Sequence, residues 1–162
     1  MSHTFQTVPQ SPKCPAHCMK SNQLLPGIKF IGFVPAERLQ REIMLKHLAG
    51  IAVGVFTDVT PIAFVGVPTC EAVSFHNNNG RLEQTTLRFN TLNDLPTNRH
   101  VAFVVTDSNN QSYVIGQNEK PRPIVKVTQN TGTPNGDPAV LSVEVTLYAQ
   151  KSLIPCVVTH PI

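Results

Sequence analysis

The residues best suited to chemistry lie near the start of the chain, in Cys14-Pro15-Ala16-His17-Cys18. Thiolate and imidazole groups at this separation are ligands that Zn²⁺ favours, and Cys70 or Cys156 would complete a set of four. Structural zinc sites usually combine two close pairs of ligands, however, and the sequence has no second close pair. Free thiols are therefore the simpler interpretation, with a redox or disulfide role as the other alternative. We predict that the protein binds no metal and no cofactor.

Recognisable catalytic motifs are missing from the sequence. It contains no Gly-x-Ser-x-Gly turn, and neither of the glycine-rich loops that cradle phosphates. The ten acidic residues are widely spread, whereas glycoside hydrolysis needs two carboxyl groups in one cleft. We therefore predict that the protein is not an enzyme and has no catalytic residues. The histidines weighed for such a role follow no regular spacing: His3, His47, His76, His100 and His160.

Composition limits the class of protein. A chain of 162 residues corresponds to one domain, and only 14% of the residues are charged while 14 are prolines. Few charges and many turn-forming residues favour short strands over long helices. The net charge is +3 with scattered basic residues, so the sequence predicts no sequence-specific nucleic-acid binding. No apolar stretch approaches ~18 residues and no secretory signal is evident, so we expect synthesis and reduced thiols in a cytoplasm, without membrane contact.

The elements that must position any functional residues fall into two parts. Residues 1–27 contain four prolines and many polar side chains, and are predicted to form an extended arm. Residues 28–162 are predicted to form a single domain that begins with a strand at Ile28–Val34. Pro35 then precedes a predicted helix over Ala36–Gly50, in which Gly50 provides the stop.

From Ile51 onward the pattern is typical of β-strands, with alternation of apolar and polar residues. Asn-Gly at 79–80 predicts a tight hairpin, Val101–Val105 predicts a central strand that is apolar on both faces, and Leu141–Ala149 is the clearest alternating strand. Further strands are expected at 51–57, 62–66, 70–76, 82–90, 112–116 and 124–129. The sequence therefore predicts a mainly β protein, an antiparallel β-sandwich or barrel with one short α-helix.

Two loops are the predicted partner contacts, because long loops in compact domains are often functional. The first, 117–123, carries a charge pair and two prolines, and the prolines would make it stiff and easy to immobilise. Ordinary solvated charges are the alternative interpretation of the same loop. The second is the long polar loop 130–138. The proposed contact residues are Glu119, Lys120, Pro121, Arg122, Pro123, Asn135, Gly136 and Asp137.

The order of these segments, with Ile115–Pro123, Thr131–Pro138 and Ser152–Cys156, resembles small β-rich structural proteins of tailed bacteriophages and prophages of gut bacteria. The likeness covers residues 28–156. It implies a virion protein of the tail tube or head–tail neck that is made in the host cytoplasm and assembled as a homo-oligomeric ring. Its partners would be copies of itself and neighbouring virion proteins, with passive contact to passing DNA.

Two alternatives stay open at this point. One is a ligand-binding β domain of cytosolic or extracellular type, which would need a concave pocket with convergent polar groups. The other is a small enzyme of unrecognised type. A native-mass measurement separates a ring from either alternative. The hypothesis that the domain works by self-association, through residues 1–27 and the two loops, is the prediction on which most depends.

Overall fold

The computed structural model describes residues 27–55, 58–96, 98–136 and 139–158. Within these ranges ten strands form two sheets that pack face to face, which confirms the predicted β-sandwich. In chain order the strands are β1 (Ile28–Pro35), β2 (Gly54–Val55), β3 (Thr60–Pro61), β4 (Phe64–Asn77), β5 (Gly80–Thr91), β6 (Val101–Asp107), β7 (Ser112–Ile115), β8 (Ile124–Asn130), β9 (Val140–Ala149) and β10 (Leu153–Val158).

The strands divide unequally between the sheets. A six-stranded sheet has the order β2-β10-β7-β6-β1-β3, and a four-stranded sheet has the order β4-β5-β9-β8. The four-stranded sheet is antiparallel throughout, and β2 pairs with β10 in parallel. The chain crosses from one sheet to the other after β9, so that β10 lies beside β7.

The core between the sheets is built from the inward positions of both. Phe103 of β6 faces Phe89 of β5 with ring centroids 6.4 Å apart. The alternation predicted for β5 and β9 is confirmed, because their apolar residues face inward while Arg88 and Glu144 face out. The buried members of this core are Ile31, Ile62, Leu87, Phe89, Val101, Phe103, Val105, Ile115, Val143, Val145 and Leu147.

The predicted central strand is confirmed, because β6 lies between β7 and β1 and contributes to two cores. Phe103 and Val105 face the other sheet, whereas Ala102 and Val104 face a second apolar cluster on the opposite side. A strand buried on both faces cannot alternate apolar and polar residues, which explains the continuous apolar sequence of β6.

The second cluster is covered by the segment between β1 and β2, where the predicted helix over Ala36–Gly50 is wrong in extent. The structure has a 3₁₀ turn at Ala36–Arg38 and a six-residue helix α1 at Ile43–Leu48. The chain is extended at Leu39 and left-handed at Glu42, with φ of 58°. Short helices are marginal on their own, so the burial of Leu39 and Ile43 against the sheet decides this path rather than helical propensity.

The predicted stop of the helix at Gly50 is confirmed. Gly50 has φ of 82°, its N–H donates to the carbonyl of His47 at 3.0 Å, and the N–H of Ile51 donates to that of Lys46 at 2.8 Å. These two bonds are the Schellman pattern, which satisfies carbonyl groups at the end of a helix. Glycine suits this position because it lacks the Cβ that makes positive φ costly.

Three strand predictions need correction. Only Gly54–Val55 of the predicted strand 51–57 pairs within the described residues, and 62–66 is interrupted before β4 begins at Phe64. The prediction that β9 is the last strand is also wrong, because β10 follows it. Pro155 hides that strand in the sequence, since proline lacks an N–H for the ladder. Here β7 pairs with Pro155, whereas β2 pairs only with Val157 and Val158, so the other side of Pro155 needs no donor.

Candidate assembly surface

The two sheets differ in how their edges end. The six-stranded sheet ends in β2 and β3, which are two residues each. The four-stranded sheet ends in β4, with 14 residues, and in β8, with seven. A long edge strand presents unpaired N–H and C=O groups, which can pair with a strand of another chain. The four-stranded sheet therefore carries two candidate pairing edges, and they lie on opposite sides of the molecule.

The hairpin of β4 and β5 extends beyond its own sheet. Pairing of β5 with β9 ends at Glu83 opposite Ala149, whereas β4 and β5 continue to the pair Asn77 and Gly80. Residues 75–82 therefore project as only two strands, and every residue from Glu71 to Arg81 is exposed. The predicted hairpin is confirmed, but its turn residues are Asn78 and Asn79, because Gly80 already pairs with Asn77. Gly80 has positive φ, 108°, whereas Asn79 does not.

One face of this hairpin is apolar. Val73 and Phe75 of β4 lie opposite Gln84 and Leu82 of β5, on the same outward side as Tyr148 of β9. Val73 and Phe75 are 46% and 37% exposed, which is unusual for large apolar side chains within a strand. The predicted placement of Glu71, Val73 and Phe75 on one face is confirmed.

The opposite edge, β8, is exposed at all seven residues. Ile124 and Lys126 lie on the outer face, opposite Thr146 and Glu144 of β9. Val125 and Val127 point inward, opposite core residues of β9, yet they are 39% and 41% exposed because no further strand covers them. The edge therefore has apolar side chains on its inner side, and both apolar and charged side chains on its outer side.

A row of charges crosses the outer face between the two edges. Arg88 of β5 and Glu144 of β9 form an ion pair with an Nε–Oε2 distance of 3.0 Å, and Lys126 of β8 lies opposite Glu144. Side chains of this pair are about half exposed, so water screens it and its contribution to folding is small. The free cation Lys126 at one edge and the free anion Glu71 at the other have complementary signs.

The two predicted contact loops lie at the two ends of β8. Loop 117–123 leads into the strand, and the second predicted loop, 130–138, begins at Asn130, the last residue of the strand. In the first loop, Gln117 donates from Nε2 to the carbonyl of Pro121 at 3.3 Å, and Arg122 donates from Nη2 to the carbonyl of Asn118 at 3.2 Å. Gly116 has φ of 120°, and a Cβ there would lie 3.0 Å from both Ala102 and Pro123, so glycine lets this loop pack on β6.

The predicted contact residues are unequally exposed. Glu119 and Lys120 are exposed, and so are Asn135 and Gly136 in the second loop. The other three predicted contact residues in the first loop are half-buried beside the core, namely Pro121, Arg122 and Pro123. Asp137 lies outside the described residues, as do residues 1–26, which include Cys14, His17 and Cys18. The structure thus brings each loop to one end of β8 but does not bring the two loops together.

Sequence reasoning missed the edges themselves. The alternating pattern predicts that a segment is a strand, but the position of that strand within a sheet depends on pairing with distant residues. One signal was available in β4, where Val65, Val67, Val73 and Phe75 are apolar at positions that the core cannot cover. Exposed apolar residues of this kind often mark interaction sites.

A buried carboxylate fixes the corner where the chain passes between the sheets. Glu83 of β5 accepts hydrogen bonds at Oε1 from the N–H groups of Ser152 and Leu153, at 3.0 and 2.9 Å. Its Oε2 lies 3.4 Å from Nζ of Lys151. Burial raises the pKa of Glu83, but the two N–H groups and the Lys151 ammonium outweigh it, so the pKa lies below its ordinary value. These contacts are structural, because every polar group involved is already paired.

The described cysteines are not suited to reactivity. Cys70 and Cys156 are free thiols, and burial raises their pKa to about 11 and about 12. Both are therefore protonated at neutral pH, whereas the thiolate is the nucleophile and metal ligand. Within the described ranges no group of three or more His, Cys, Asp or Glu side chains is placed to hold a metal ion.

Comparison of the chain with protein-family models, with curated proteins and with solved structures finds no match. In the part of the chain that the structure describes, no helix has the length and apolar character needed to cross a bilayer.

Proposed function

We propose that this protein is a virion structural protein, a ring-forming subunit of a phage tail tube or head–tail neck that works by self-association. The single observation that carries the proposal is the pair of long open edges, β4 and β8, on one sheet. The resemblance to phage structural proteins supplies the biological setting. In that setting the chain is made in the host cytoplasm and binds copies of itself and neighbouring virion proteins.

Strand directions favour one way of joining the copies. The four strands alternate in direction, so β4 and β8 run in opposite senses. When β8 of one copy meets β4 of the next with the sheet faces aligned, the new pair is antiparallel, like every other pair in the sheet. Such a head-to-tail interface uses two different surfaces, and repetition of it produces a ring if the rotation closes.

Side chains on the outer face complement each other in one register. If Lys126 of β8 lies opposite Glu71 of the neighbouring β4, antiparallel pairing also places Ile124 opposite Val73 and Thr128 opposite Thr69. Opposite charges and apolar groups in such cross-strand pairs each contribute roughly 0.2–1 kcal/mol. The joint would also cover the unpaired backbone groups of β8 and of residues 67–73 of β4, which reduces an aggregation hazard.

The predicted contact loops fit this arrangement because they lie at both ends of β8, where they would border the joint. Residues 1–27 remain the third predicted contact. Their deletion, with sizing at matched concentration, tests whether they contribute to assembly. The ligand-binding alternative has one observation in its favour, a cavity beside β8, and it predicts a monomer.

The test is native mass spectrometry and light scattering of the purified chain together with charge-reversal variants. We expect an assembled full-length protein, and at least about tenfold weaker association for Lys126→Glu and for Glu71→Lys, because like charges then face each other across the joint. The double variant Glu71→Lys/Lys126→Glu restores the attraction and should assemble within a few-fold of the natural chain. Arg41→Glu makes the same change of charge on an exposed residue beside the six-stranded sheet, and should leave association unchanged.

Three results would contradict the proposal. A monomer at every concentration tested would remove self-association. Loss of association in Lys126→Glu without any effect of Glu71→Lys would indicate pairing of two β8 edges in a closed dimer. Equal effects of Lys126→Glu and Arg41→Glu would show that overall charge, rather than the edge, controls association.

A further inference from the structure

A cavity of about 210 Å³ opens beside β8, where the four-stranded sheet overhangs the loop that leads into β6. Its apolar wall contains Leu95, Val101 and Phe103 on one side and Val125 and Val127 of β8 on the other. The incomplete burial of Val125 and Val127 follows from this opening. The wall is made of branched and aromatic side chains, which are typical of pockets that bind small apolar groups.

The ionisable side chains that line the cavity are all basic. Arg99, His100 and Arg122 line it, and no acidic side chain does. Arg99 and His100 are exposed at the rim, whereas Arg122 is half-buried. Two guanidinium groups above an apolar wall favour a ligand that combines a negative charge with an apolar body.

One hydrogen-bond donor of Arg122 has no partner among the described residues. Its Nη2 donates to the carbonyl of Asn118 at 3.2 Å, but its Nε is buried and has no hydrogen-bond partner among the described residues. A buried polar atom without a partner costs free energy, and more so when it belongs to a charged group. Because Arg122 lines the cavity, an anionic group there would lie near its guanidinium charge, and carboxylates fit the planar fork of arginine.

The volume limits the size of the ligand. An apolar protein cavity of about 150 Å³ holds benzene. A cavity of about 210 Å³ that is open to solvent therefore has room for one ring with a carboxylate attached. An inorganic anion would leave the apolar wall unused, and a neutral aromatic compound would leave the charges of Arg99 and Arg122 without a counter-ion.

We propose that this cavity binds a small aromatic monocarboxylate, with its ring against Leu95 and the valines of β8 and its carboxylate at Arg122 and Arg99. Binding would take place within one copy of the chain. It goes beyond the proposed function, and it is tested apart from assembly because neither Lys126 nor Glu71, the residues changed to test assembly, lines the cavity. The two proposals can therefore fail separately.

The first measurement is a titration of methyl-labelled protein, followed by NMR, with sodium benzoate, benzyl alcohol and inorganic phosphate as probes. The Lys126→Glu variant is used beside the natural chain so that assembly does not obscure the signals. We expect benzoate to shift the methyl signals of Leu95, Val125 and Val127 in a saturable way. Benzyl alcohol should bind at least about tenfold more weakly, and phosphate should not shift these signals. Absence of a saturable shift with benzoate, or equal binding of benzyl alcohol, would overturn the proposal.

The second measurement compares arginine variants. Arg122→Gln should weaken benzoate binding at least about tenfold and leave the weak binding of benzyl alcohol unchanged, because only the charged partner is lost. Arg99→Gln tests the same point at an exposed residue whose replacement does not threaten folding, and a loss of at least about threefold is expected. Arg88→Gln, on the outer face of the same sheet, is the matched control and should have no effect. Benzoate affinities that are the same in all three variants would refute the assignment.

Discussion

The six-stranded and four-stranded sheets differ in what their surroundings cover. The six-stranded sheet has one face against the other sheet, the other face under the segment 36–55, and edges reduced to two-residue strands. The four-stranded sheet has one buried face, one exposed face and two long edges. The comparison suggests a division of roles between the sheets. The six-stranded sheet stabilises the fold, and the four-stranded sheet presents surface to partners. Each prediction below tests that division.

The largest expected effect is the loss of a core side chain from the six-stranded sheet. Phe103 is fully buried, and Phe103→Ala should lower the free energy of unfolding by about 3–5 kcal/mol, since it removes apolar contacts and leaves a cavity. Phe75 on the projecting hairpin is 37% exposed, and the matched variant Phe75→Ala should cost less than about 1 kcal/mol. Urea denaturation of both variants measures the difference. Similar losses in the two variants would contradict the division between the sheets.

Much of this difference could be predicted from the sequence, because it depends on local pattern. The continuous apolar residues of β6 indicate burial on both faces, and the alternation in β5 and β9 indicates one exposed face. Tight turns have strong local preferences, and the hairpin at 77–80 was predicted correctly, although its turn lies one residue earlier than Asn79-Gly80.

The sequence could not predict the parts that depend on distant contacts. The helix over Ala36–Gly50 was predicted as one element, but burial of Leu39 and Ile43 against β6 and its neighbours divides it. The edge positions of β4 and β8 likewise follow from pairing across the whole chain. Arg99 and Arg122 are far apart in the sequence but line the same cavity, and no sequence motif predicts this.

An intermediate effect is expected at the corner that joins the sheets. Glu83→Gln keeps the shape of the side chain but removes the charge that accepts from Ser152 and Leu153 and pairs with Lys151. We expect a loss of about 1–3 kcal/mol in the free energy of unfolding near neutral pH, because hydrogen bonds to charged groups are worth about twice those to neutral ones. Urea titration near pH 7 measures this loss.

The pH dependence of this loss has a definite sign. The pKa of Glu83 is lower in the folded protein than its ordinary value of about 4.3, so its stabilisation is present above that value and is lost as pH falls through the folded pKa. The natural chain and Glu83→Gln should therefore converge in stability as pH falls from about 4.3 through the folded pKa. A difference between them that stays constant from neutral to acid pH would show that the charge of Glu83 is not what stabilises the corner.

The smallest effect is expected for the ion pair on the exposed face of the four-stranded sheet. Arg88 and Glu144 are in good geometry, but their side chains are 59% and 41% exposed, so solvent screening limits their coupling energy to about 0.2–1 kcal/mol. A double-mutant cycle with Arg88→Gln and Glu144→Gln, followed by urea denaturation of the monomer, isolates this coupling from the other contacts of each residue. A coupling energy above about 2 kcal/mol would mean that this face contributes to the fold as strongly as the buried corner does. The proposed difference in role between the six-stranded and four-stranded sheets would then be lost, even if the two edges still mediate assembly. A small coupling keeps the distinction, because the charges on this face can then be reversed with little cost to folding.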